Sequence, residues 1–572
     1  MSIPRPEHPN PQFARQTWKN LNGDWQFMID NGRSGIARGL YREDAVFDGT
    51  IRVPFCPESR LSGVEHRDFL AGVWYRRTVT LSEPETRRLV RLHFGAVDYH
   101  AIVYVNGQPA GEHTGGYTSF ALDISPLVRV GSNTVTVFAQ DDTRDPRIPR
   151  GKQSEEYDSH GCDYTRTTGI WQTVWLEFLP HTHIESVKYY PDSGQGTITV
   201  RAALAGAGTL TAAVFYEGRP VGRHTAASAG GGELFTIPLA ETHLWEPGHG
   251  RLYEVRLTYG DDAVCSYFGL RSVRLDGSAF RINGKAVFQR LVLDQGFYPD
   301  GVYTAPDDEA LQNDIRLSMA MGFNGARLHE KVFEPRFLYH CDRMGYLVWG
   351  EYPDWGADYS RPETHIRFLG EWMEAVERDF NHPAIVGWCP HNEVWTYQDR
   401  PPYRPGLVLT YRMTKAADPT RPCIDASGWL HTETDIYDIH DYEQDPAALA
   451  GRLNRFAADG ELADPFAGPQ HYAGQPVMVS EYGGILWRAD GSGWGYGSSP
   501  KTAEEFLARF AGLTAALLAN PRLCGLCYTQ LTDVEQEQNG LVTFDRRPKF
   551  DPARIRAILS QKAAAEEEPP DR

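Results

Sequence analysis

Two glutamates, Glu393 and Glu481, stand at the ends of strongly apolar segments of the sequence. The segment AIVGWCPH precedes Asn392 and Glu393, and VMVS precedes Glu481. An ionised carboxylate in such surroundings is costly unless it is hydrogen-bonded or used in chemistry. Two carboxylates that face each other across a cleft are what glycoside hydrolysis requires, because one protonates the leaving oxygen and the other attacks the anomeric carbon. The alternative is that both glutamates belong to ordinary ion pairs.

Further polar and aromatic side chains lie at or near the ends of other short apolar segments. The candidates for contacting substrate or supporting the glutamates are Asn392, Asp294, Arg327, His329, Glu351, His440, Tyr442, Trp487 and Tyr528. An arginine such as Arg327 could hold a catalytic carboxylate ionised, because an adjacent cation lowers the pKa of a carboxyl group. Glu351 either orients the site through hydrogen bonds or belongs to a buried ion pair. The histidines and the aromatic residues are also compatible with a role in the core.

The segments that carry these residues alternate between strands and helices from residue 272 to residue 560. In DDEALQNDIRLSMAMGF, Leu311, Ile315 and Met319 recur at near-helical spacing, and acidic residues begin the segment, as is favourable at a helix N-terminus. Short strands such as NGARLH, YLVWGEYP and PVMVSEYGG separate the helical segments. This alternation predicts a (β/α)8 TIM barrel, in which chemistry takes place at the carboxyl ends of the strands.

The rest of the chain predicts two β domains and a tail. Residues 1–180 contain many short strands rich in Val, Tyr, Phe and Thr, which predicts an antiparallel jelly-roll sandwich. Residues 181–271 contain about seven short strands, which predicts an immunoglobulin-like β-sandwich. Residues 561–572 are charged and contain two prolines near their end, so we expect a flexible tail.

Composition narrows the function classes. The chain of 572 residues has 75 acidic and 57 basic residues and a formal net charge of −18, which argues against a nucleic-acid partner. No apolar run is long enough for a transmembrane helix, and the N-terminus has no apolar signal segment, so we expect a cytoplasmic protein without a membrane partner. Eight scattered cysteines, including Cys524 and Cys527, are expected to be reduced, and these two to be core residues.

Several motifs resemble glycoside hydrolase family 2, and together they span nearly the whole chain. AIVGWCPHNEVW and PVMVSEYGG resemble the acid/base and nucleophile strands of that family, and YLVWGEYP and YTQLTDVEQEQNGLVTFDRRPK resemble other barrel strands. WKNLNGDWQF, WYRRTVTL, VYVNGQPAGEHTGGYTSFALDI and TGIWQTVWLE resemble its sugar-binding N-terminal domain. The resemblance implies a retaining exo-glycosidase in which Glu393 is the acid/base, Glu481 is the nucleophile and Asn392 binds the sugar 2-hydroxyl. It also implies a glycoside substrate and, as in many relatives, a homo-oligomer.

The sugar is expected to be neutral. Enzymes that resemble this family act on β-galactosides, β-glucuronides and β-mannosides, with rarer pectin-type substrates, and its glucuronidases carry an Asn-x-Lys motif that binds the uronate. The corresponding place here reads Glu537-Gln538-Asn539, and a carboxylate there would repel an anionic substrate. The first hypothesis is therefore a β-galactosidase-like enzyme, with α-L-arabinopyranosidase, β-glucuronidase and β-galacturonidase as alternatives. His391, beside the acid/base, is unusual and could reshape the pocket.

Two other function classes stay open. The chain could be an inactive carbohydrate-binding protein, although the presence of both glutamates argues against this. It could also be a metal-dependent hydrolase, because histidines and acidic residues end several strands, but it has no HExxH motif or close His-x-His pair. Two-carboxylate hydrolysis requires no cofactor, and the sequence specifies no metal site. A structural cation is compatible with the family resemblance.

Overall fold

The structure is a computed structural model that describes residues 3–394, 396–462, 472–488 and 493–566. It has two β-sandwiches followed by a parallel α/β barrel, which confirms the fold class predicted from the sequence. Within the described residues, no helix combines the length and the apolar character needed to cross a membrane.

The N-terminal region is an antiparallel sandwich. Its strands and helices are β1 (Phe13–Ala14), β2 (Trp18–Asn20), β3 (Gly23–Ile29), α1 (Gly35–Arg38), β4 (Gly49–Val53), β5 (Val73–Leu81), α2 (Glu83–Thr86), β6 (Leu89–Phe94), β7 (Val97–Asp98), β8 (His100–Val105), β9 (Gln108–Thr114), β10 (Phe120–Asp123), β11 (Gly131–Gln140), β12 (Gly169–Ile170) and β13 (Val174–Leu179). The sheets have the orders β10–β6–β13–β2 and β4–β3–β5–β11–β8–β9, and β12 pairs with β7. A long loop, residues 141–168, connects β11 to β12.

The second sandwich also has two sheets. Its strands are β14 (His183–Asp192), β15 (Thr197–Ala205), β16 (Gly208–Tyr216), β17 (Arg219–Ser228), β18 (Gly231–Pro238), β19 (Tyr253–Tyr259) and β20 (Asp262–Phe268). The orders are β14–β15–β18 and β1–β20–β19–β16–β17, so β1 of the predicted first domain completes a sheet of the second. Burial alternates residue by residue along β19, as expected for a sheet with one face in a core.

The barrel contains the C-terminal strands and helices. After a small sheet of β21 (Val273–Asp276), β22 (Ala279–Ile282) and β23 (Lys285–Ala286), its strands are β24 (Gln289–Asp294), β25 (Gly325–Leu328), β26 (Leu347–Glu351), β27 (Ile385–Cys389), β28 (His391–Asn392), β29 (Ala426–Ser427), β30 (Tyr437–Asp441), β31 (Val477–Gly483) and β32 (Leu523–Thr529). The helices are α3 (Asp308–Ala320), α4 (Pro335–Met344), α5 (Pro362–Asp379), α6 (Arg404–Ala417), α7 (Pro446–Asp459), α8 (Ala503–Leu518) and α9 (Pro552–Leu559).

The barrel strands pair in parallel in two sheets. The main sheet runs β27–β26–β25–β24–β32–β31–β30, and β28, which continues β27, pairs with β29 at the fifth barrel position. Every residue of β24, β31 and β32 is buried, because helices cover the outer face and side chains fill the barrel. The carboxyl ends of the strands therefore meet at one mouth.

Loop 141–168 of the first sandwich lies against this mouth. The backbone N–H of Arg150 donates to the carbonyl oxygen of Trp355 at 2.8 Å, and that of Asp358 donates to Pro146 at 2.7 Å. The hydroxyl of Tyr164 donates to Glu537, beyond the last barrel strand. The barrel mouth is thus bordered by a second domain.

The predicted tail is in part attached to the barrel. Glu566 accepts two hydrogen bonds of 2.9 Å from the Arg290 guanidinium, and residues 564–566 form a 3-10 turn. Residues 567–572 of that predicted tail lie outside the described residues. Cys524 and Cys527 of β32 are both buried, as predicted.

Candidate active site

Glu393 and Glu481 face each other at the barrel mouth. Glu481 belongs to β31, and Glu393 directly follows β28, with a backbone φ of 45° in the left-handed region. A carboxylate oxygen of Glu393 lies within 4.8 Å of a carboxylate oxygen of Glu481. Strands distant in the sequence therefore bring together the two groups that the sequence singled out.

His440 lies between the two glutamates. Its Nδ1 is 2.6 Å from Glu393 Oε1, and its Nε2 is 3.4 Å from Glu481 Oε1. Burial lowers the pKa of this imidazole, but the charges of Glu481 and Glu393 outweigh burial and raise it above its ordinary value. His440 is therefore suited to be a cation between two acidic groups.

Arg327 holds three groups of the site with one guanidinium. Its Nε donates to Glu351 at 2.5 Å, one terminal nitrogen donates to Glu481 at 3.1 Å, and the other donates to the side-chain oxygen of Asn392 at 3.2 Å. The other oxygen of Glu351 lies 2.8 Å from His329 Nδ1. Glu351 thus forms the buried ion pair that was one of its two expected roles, and through Arg327 it also orients the site.

Glu481 is surrounded by groups that favour its ionised form. Burial alone would raise its pKa, but the charges of His440 and Arg327 and a hydrogen bond from the Tyr442 hydroxyl lower it to about 2. The Tyr442 ring is stacked on Tyr496, with ring centroids 3.5 Å apart. A carboxylate that stays ionised is what a nucleophile requires.

A buried polar chain under the site supports His440. The Ser427 hydroxyl lies 3.1 Å from His440 Nε2 and donates to Asp438 at 2.5 Å, and the Ser480 hydroxyl donates to the same Asp438 oxygen. Ser427, Asp438 and Ser480 were not among the residues predicted from the sequence. Asp438 could have been found from DIYDIH, because side chains two apart on a strand point to the same face.

Three candidates from the sequence lie away from the two glutamates. Asp294 accepts a 2.9 Å hydrogen bond from the backbone of Gly296, and burial raises its pKa to about 7. The Tyr528 side chain is fully buried, and the Trp487 ring packs between Phe506 and Phe550 at 5.8 and 5.3 Å. None of the three contacts the carboxylates, so nothing in the geometry places them against the reacting groups.

His391 is buried beneath the site. Its ring stacks on Phe368 at 4.2 Å, and Nδ1 lies 3.4 Å from Asp354, which accepts the backbone N–H of Asn392 at 2.9 Å. His391 therefore packs against α5 and contacts the acid that holds Asn392, where it shapes the pocket only indirectly.

A cavity of about 420 Å³ adjoins Glu393. Arg144, Arg150 and Asp163 of loop 141–168 line one side, and Trp355 and Tyr397 of the barrel line the other. The Trp355 indole N–H donates to the backbone oxygen of Asn392 at 3.1 Å, which fixes the ring beside the acid/base candidate. A group bound against Glu393 would therefore lie in a space that two domains form.

Glu537 stands at the place of the Asn-x-Lys motif, and both of its carboxylate oxygens accept hydrogen bonds. One oxygen accepts the Tyr164 hydroxyl and the other accepts the Asn539 side-chain amide at 2.8 Å. Burial raises the pKa of Glu537, although the charge of Lys152 and these hydrogen bonds act in the opposite direction. The carboxylate is therefore less free to repel an anion than the sequence alone implies.

A metal ion would also accept the spacing of Glu393, His440 and Glu481, since each offers a ligand atom within 4.8 Å of the others. However, a terminal nitrogen of Arg327 lies 3.1 Å from Glu481, so a divalent cation there would be repelled by a guanidinium. The arrangement favours carboxylate chemistry over metal binding.

Two family models match the chain. Residues 18–180 match the sugar binding domain of glycosyl hydrolases family 2, and residues 273–506 match the TIM barrel domain of the same family. Together the two matches cover more than half of the chain. They lie on the N-terminal sandwich and on the barrel that carries both glutamates.

Curated relatives and solved structures agree with these matches. A beta-glucuronidase of Felis catus is 28% identical over 71% of this chain and 67% of its own length, and one of Paenibacillus borealis is 25% identical over 81% and 83%. The chain spans only 47% of a Formosa agariphila relative that is 27% identical over 68% of this chain. The Ruminococcus gnavus beta-glucuronidase structure superposes with a TM-score of 0.80 at 17% identity, covering 98% of this chain and 99% of the other, and so shares the fold.

Proposed function

Because the chain belongs to glycoside hydrolase family 2 and is a glycosidase, we propose that it releases a terminal sugar by double displacement with net retention. Glu481 attacks the anomeric carbon while Glu393 protonates the leaving oxygen. Glu393 then removes a proton from the water that hydrolyses the glycosyl-enzyme, which restores both groups.

The separation of the two carboxylates carries this proposal. Retaining glycosidases hold them about 5–5.5 Å apart, whereas inverting enzymes need about 6.5–9.5 Å to admit a water molecule between carboxylate and sugar. The oxygen pair within 4.8 Å supports direct attack by Glu481. Their shared contact with His440 supports a catalytic site rather than an inactive binding barrel.

In this proposal, Asn392 binds the sugar 2-hydroxyl. Its side-chain oxygen accepts a hydrogen bond from Arg327, which orients the amide so that its Nδ2 group can donate to substrate. A contact to the 2-hydroxyl that tightens in the transition state contributes to catalysis in such enzymes.

The anomer first released tests the stereochemistry. We expect proton NMR during hydrolysis of a p-nitrophenyl β-glycoside to show the β-anomer of the free sugar before mutarotation. Initial release of the α-anomer would contradict double displacement, since attack by water alone inverts the centre.

For the glycone, we propose a β-D-glucuronosyl residue first, because the relatives named above are beta-glucuronidases. A neutral β-galactoside is the second candidate, because Glu537 stands at the place of the uronate-binding motif. A panel of p-nitrophenyl β-D-glucuronide, β-D-galacturonide, β-D-galactoside and α-L-arabinopyranoside separates them. Turnover of neutral glycosides alone would reject the first candidate, and turnover of the glucuronide alone would reject the second.

A further inference from the structure

Lys152 of loop 141–168 is a buried lysine whose ammonium has no ionic partner in direct contact. The residue is only 5% exposed, and Nζ lies 3.4 Å from the centroid of the Trp355 ring. Among the described residues, Nζ forms neither a hydrogen bond nor an ion pair. A buried ammonium is costly to leave in this condition, because it has lost water without gaining an anion.

This ammonium lies at the mouth of the barrel. Its aromatic neighbour Trp355 donates a hydrogen bond to Asn392, next to the acid/base Glu393. The negative groups that act on it electrostatically include Glu330 and Glu537, which follow the second and eighth barrel strands. Burial lowers the pKa of Lys152, but Cys162 and these acids outweigh burial and keep the pKa above its ordinary value, so the side chain is a cation.

Neither Glu330 nor Glu537 accepts a hydrogen bond from the Lys152 ammonium. Both oxygens of Glu537 are bound by Tyr164 and Asn539. Burial and the neighbouring Asp354 raise the pKa of Glu330 well above its ordinary value, which reduces its charge. The ammonium is therefore near several acidic side chains, but it donates a hydrogen bond to none of the described ones.

Other cations near the mouth are already engaged. Arg327 binds Glu351, Glu481 and Asn392, and Lys549 donates to Asp533 at 2.5 Å. Lys331 donates to two backbone carbonyls, at 2.5 and 2.8 Å. Of these four cations, Lys152 is the one without a hydrogen-bonded acceptor.

We propose that Lys152 receives the carboxylate of a uronic acid glycone, so that a residue of the N-terminal sandwich decides between acidic and neutral sugars. This proposal rests on the glycosidase function proposed above. Residues 537–539 of the barrel contain no cation that could bind the uronate, and Lys152 of loop 141–168 would supply it. Uronate binding would also explain why a lysine is buried there without an anion among the described residues.

Kinetics of Lys152→Met test the proposal, because methionine keeps an unbranched apolar stem and removes only the charge. We expect kcat/KM for p-nitrophenyl β-D-glucuronide or β-D-galacturonide to fall about 100-fold or more, and kcat/KM for the β-D-galactoside to change less than about threefold. Equal losses on acidic and neutral substrates would show a structural role and overturn the proposal, as would an unchanged rate on the uronides. The two uronides reveal which epimer is bound.

A surface lysine provides the matched control. Lys285 is exposed and pairs with Glu246 far from the mouth, so Lys285→Met removes the same charge without touching the site. We expect its kcat/KM on every substrate to equal that of the wild type, and thermal melting of both variants to verify folding. A comparable loss of uronide activity in Lys285→Met would assign the effect to net charge and overturn the proposal.

The affinity for a free uronate tests the role of Lys152 independently of turnover. In a Glu481→Gln background, we expect calorimetry to show that D-glucuronate or D-galacturonate binds at least about tenfold more weakly once Lys152→Met is added. The same affinity with and without Lys152, or no uronate binding in the parent variant, would overturn the proposal. Wild-type hydrolysis of neutral glycosides alone would also overturn it while leaving the retaining glycosidase intact, whereas uronate binding without any hydrolysis would remove only the proposed reaction.

Discussion

Two glutamates of this chain are equally buried, but their pKa values are shifted in opposite directions. At the barrel mouth, the charges of His440 and Arg327 help to lower the pKa of Glu481 to about 2. Between the first sandwich and the barrel, Glu371 of α5 accepts hydrogen bonds from the hydroxyls of Tyr99 and Tyr352, and burial raises its pKa to about 7.

Neighbouring groups decide how burial changes the pKa of a carboxyl group. Hydroxyl donors stabilise a buried carboxylate less than fixed cations do, so the pKa of Glu371 rises where that of Glu481 falls. The barrel mouth therefore maintains a charge for chemistry. The domain interface instead holds a carboxyl group with a raised pKa, and its hydrogen bonds join two domains.

The largest effect is expected at Glu481, the proposed nucleophile. Glu481→Gln should lower kcat by about four orders of magnitude or more, because the amide cannot form the glycosyl-enzyme. The matched variant Glu371→Gln should leave kcat within about threefold. Steady-state rates on the best glycoside of the panel measure both, and an active Glu481→Gln would end the assignment of the nucleophile.

A smaller effect is expected from the hydroxyls that donate to each glutamate. Tyr442→Phe should lower kcat/KM about tenfold and move the acidic limb of the pH profile upward, because the lost bond favoured the ionised form of Glu481 and its pKa must rise. Tyr352→Phe, which removes a hydroxyl from Glu371, should leave that limb in place. Identical pH profiles for Tyr442→Phe and the wild type would contradict this account.

Stability should depend on pH through Glu371. Its pKa is about 4.5 when unfolded and about 7 when folded, so the unfolded state releases the proton first as pH rises. Between these values the wild type should lose stability relative to Glu371→Gln, by about 3 kcal/mol in total. Urea unfolding of both proteins from pH 4 to pH 8 measures the difference, and parallel curves would show that Glu371 ionises normally.

The smallest effect is expected from Tyr528, a barrel tyrosine with neutral partners. Its hydroxyl accepts the backbone N–H of Ile485 at 3.3 Å, so Tyr528→Phe should cost about 1 kcal/mol of unfolding free energy. Its kcat/KM should remain within about twofold of the wild type. A large loss of activity with unchanged stability would indicate instead that Tyr528 lines the substrate pocket.

The site residues that could be predicted from the sequence are those at the carboxyl ends of barrel strands. Arg327, His329, Glu351, His440 and Glu481 lie on or next to different barrel strands, and the structure brings all of them together. Parallel strands in a barrel place their carboxyl ends at one mouth, so a local sequence position implies a spatial one. The same rule selected Asp294 and Tyr528, whose side chains lie away from the two glutamates, because a side chain at a strand end can also be packed in the core.

Groups that come from loops were not predictable in this way. Lys152 lies in a long loop of another domain, and no periodic pattern relates it to Trp355 or to Glu537. Tyr496, which stacks on Tyr442, and Asp354, which holds Asn392, likewise lie outside the strands. Their positions depend on how the loops fold against the barrel mouth.

Hydrophobic periodicity and short motifs are local properties of a chain, so the fold class, the family and the choice of Glu393 and Glu481 as the proposed reacting pair could be read from the sequence. The separation of the two carboxylates, the opposite pKa shifts of Glu481 and Glu371, and the position of Lys152 followed only from the folded structure. Coulombic interactions and desolvation depend on distances between residues far apart in the chain, and folding alone fixes those distances.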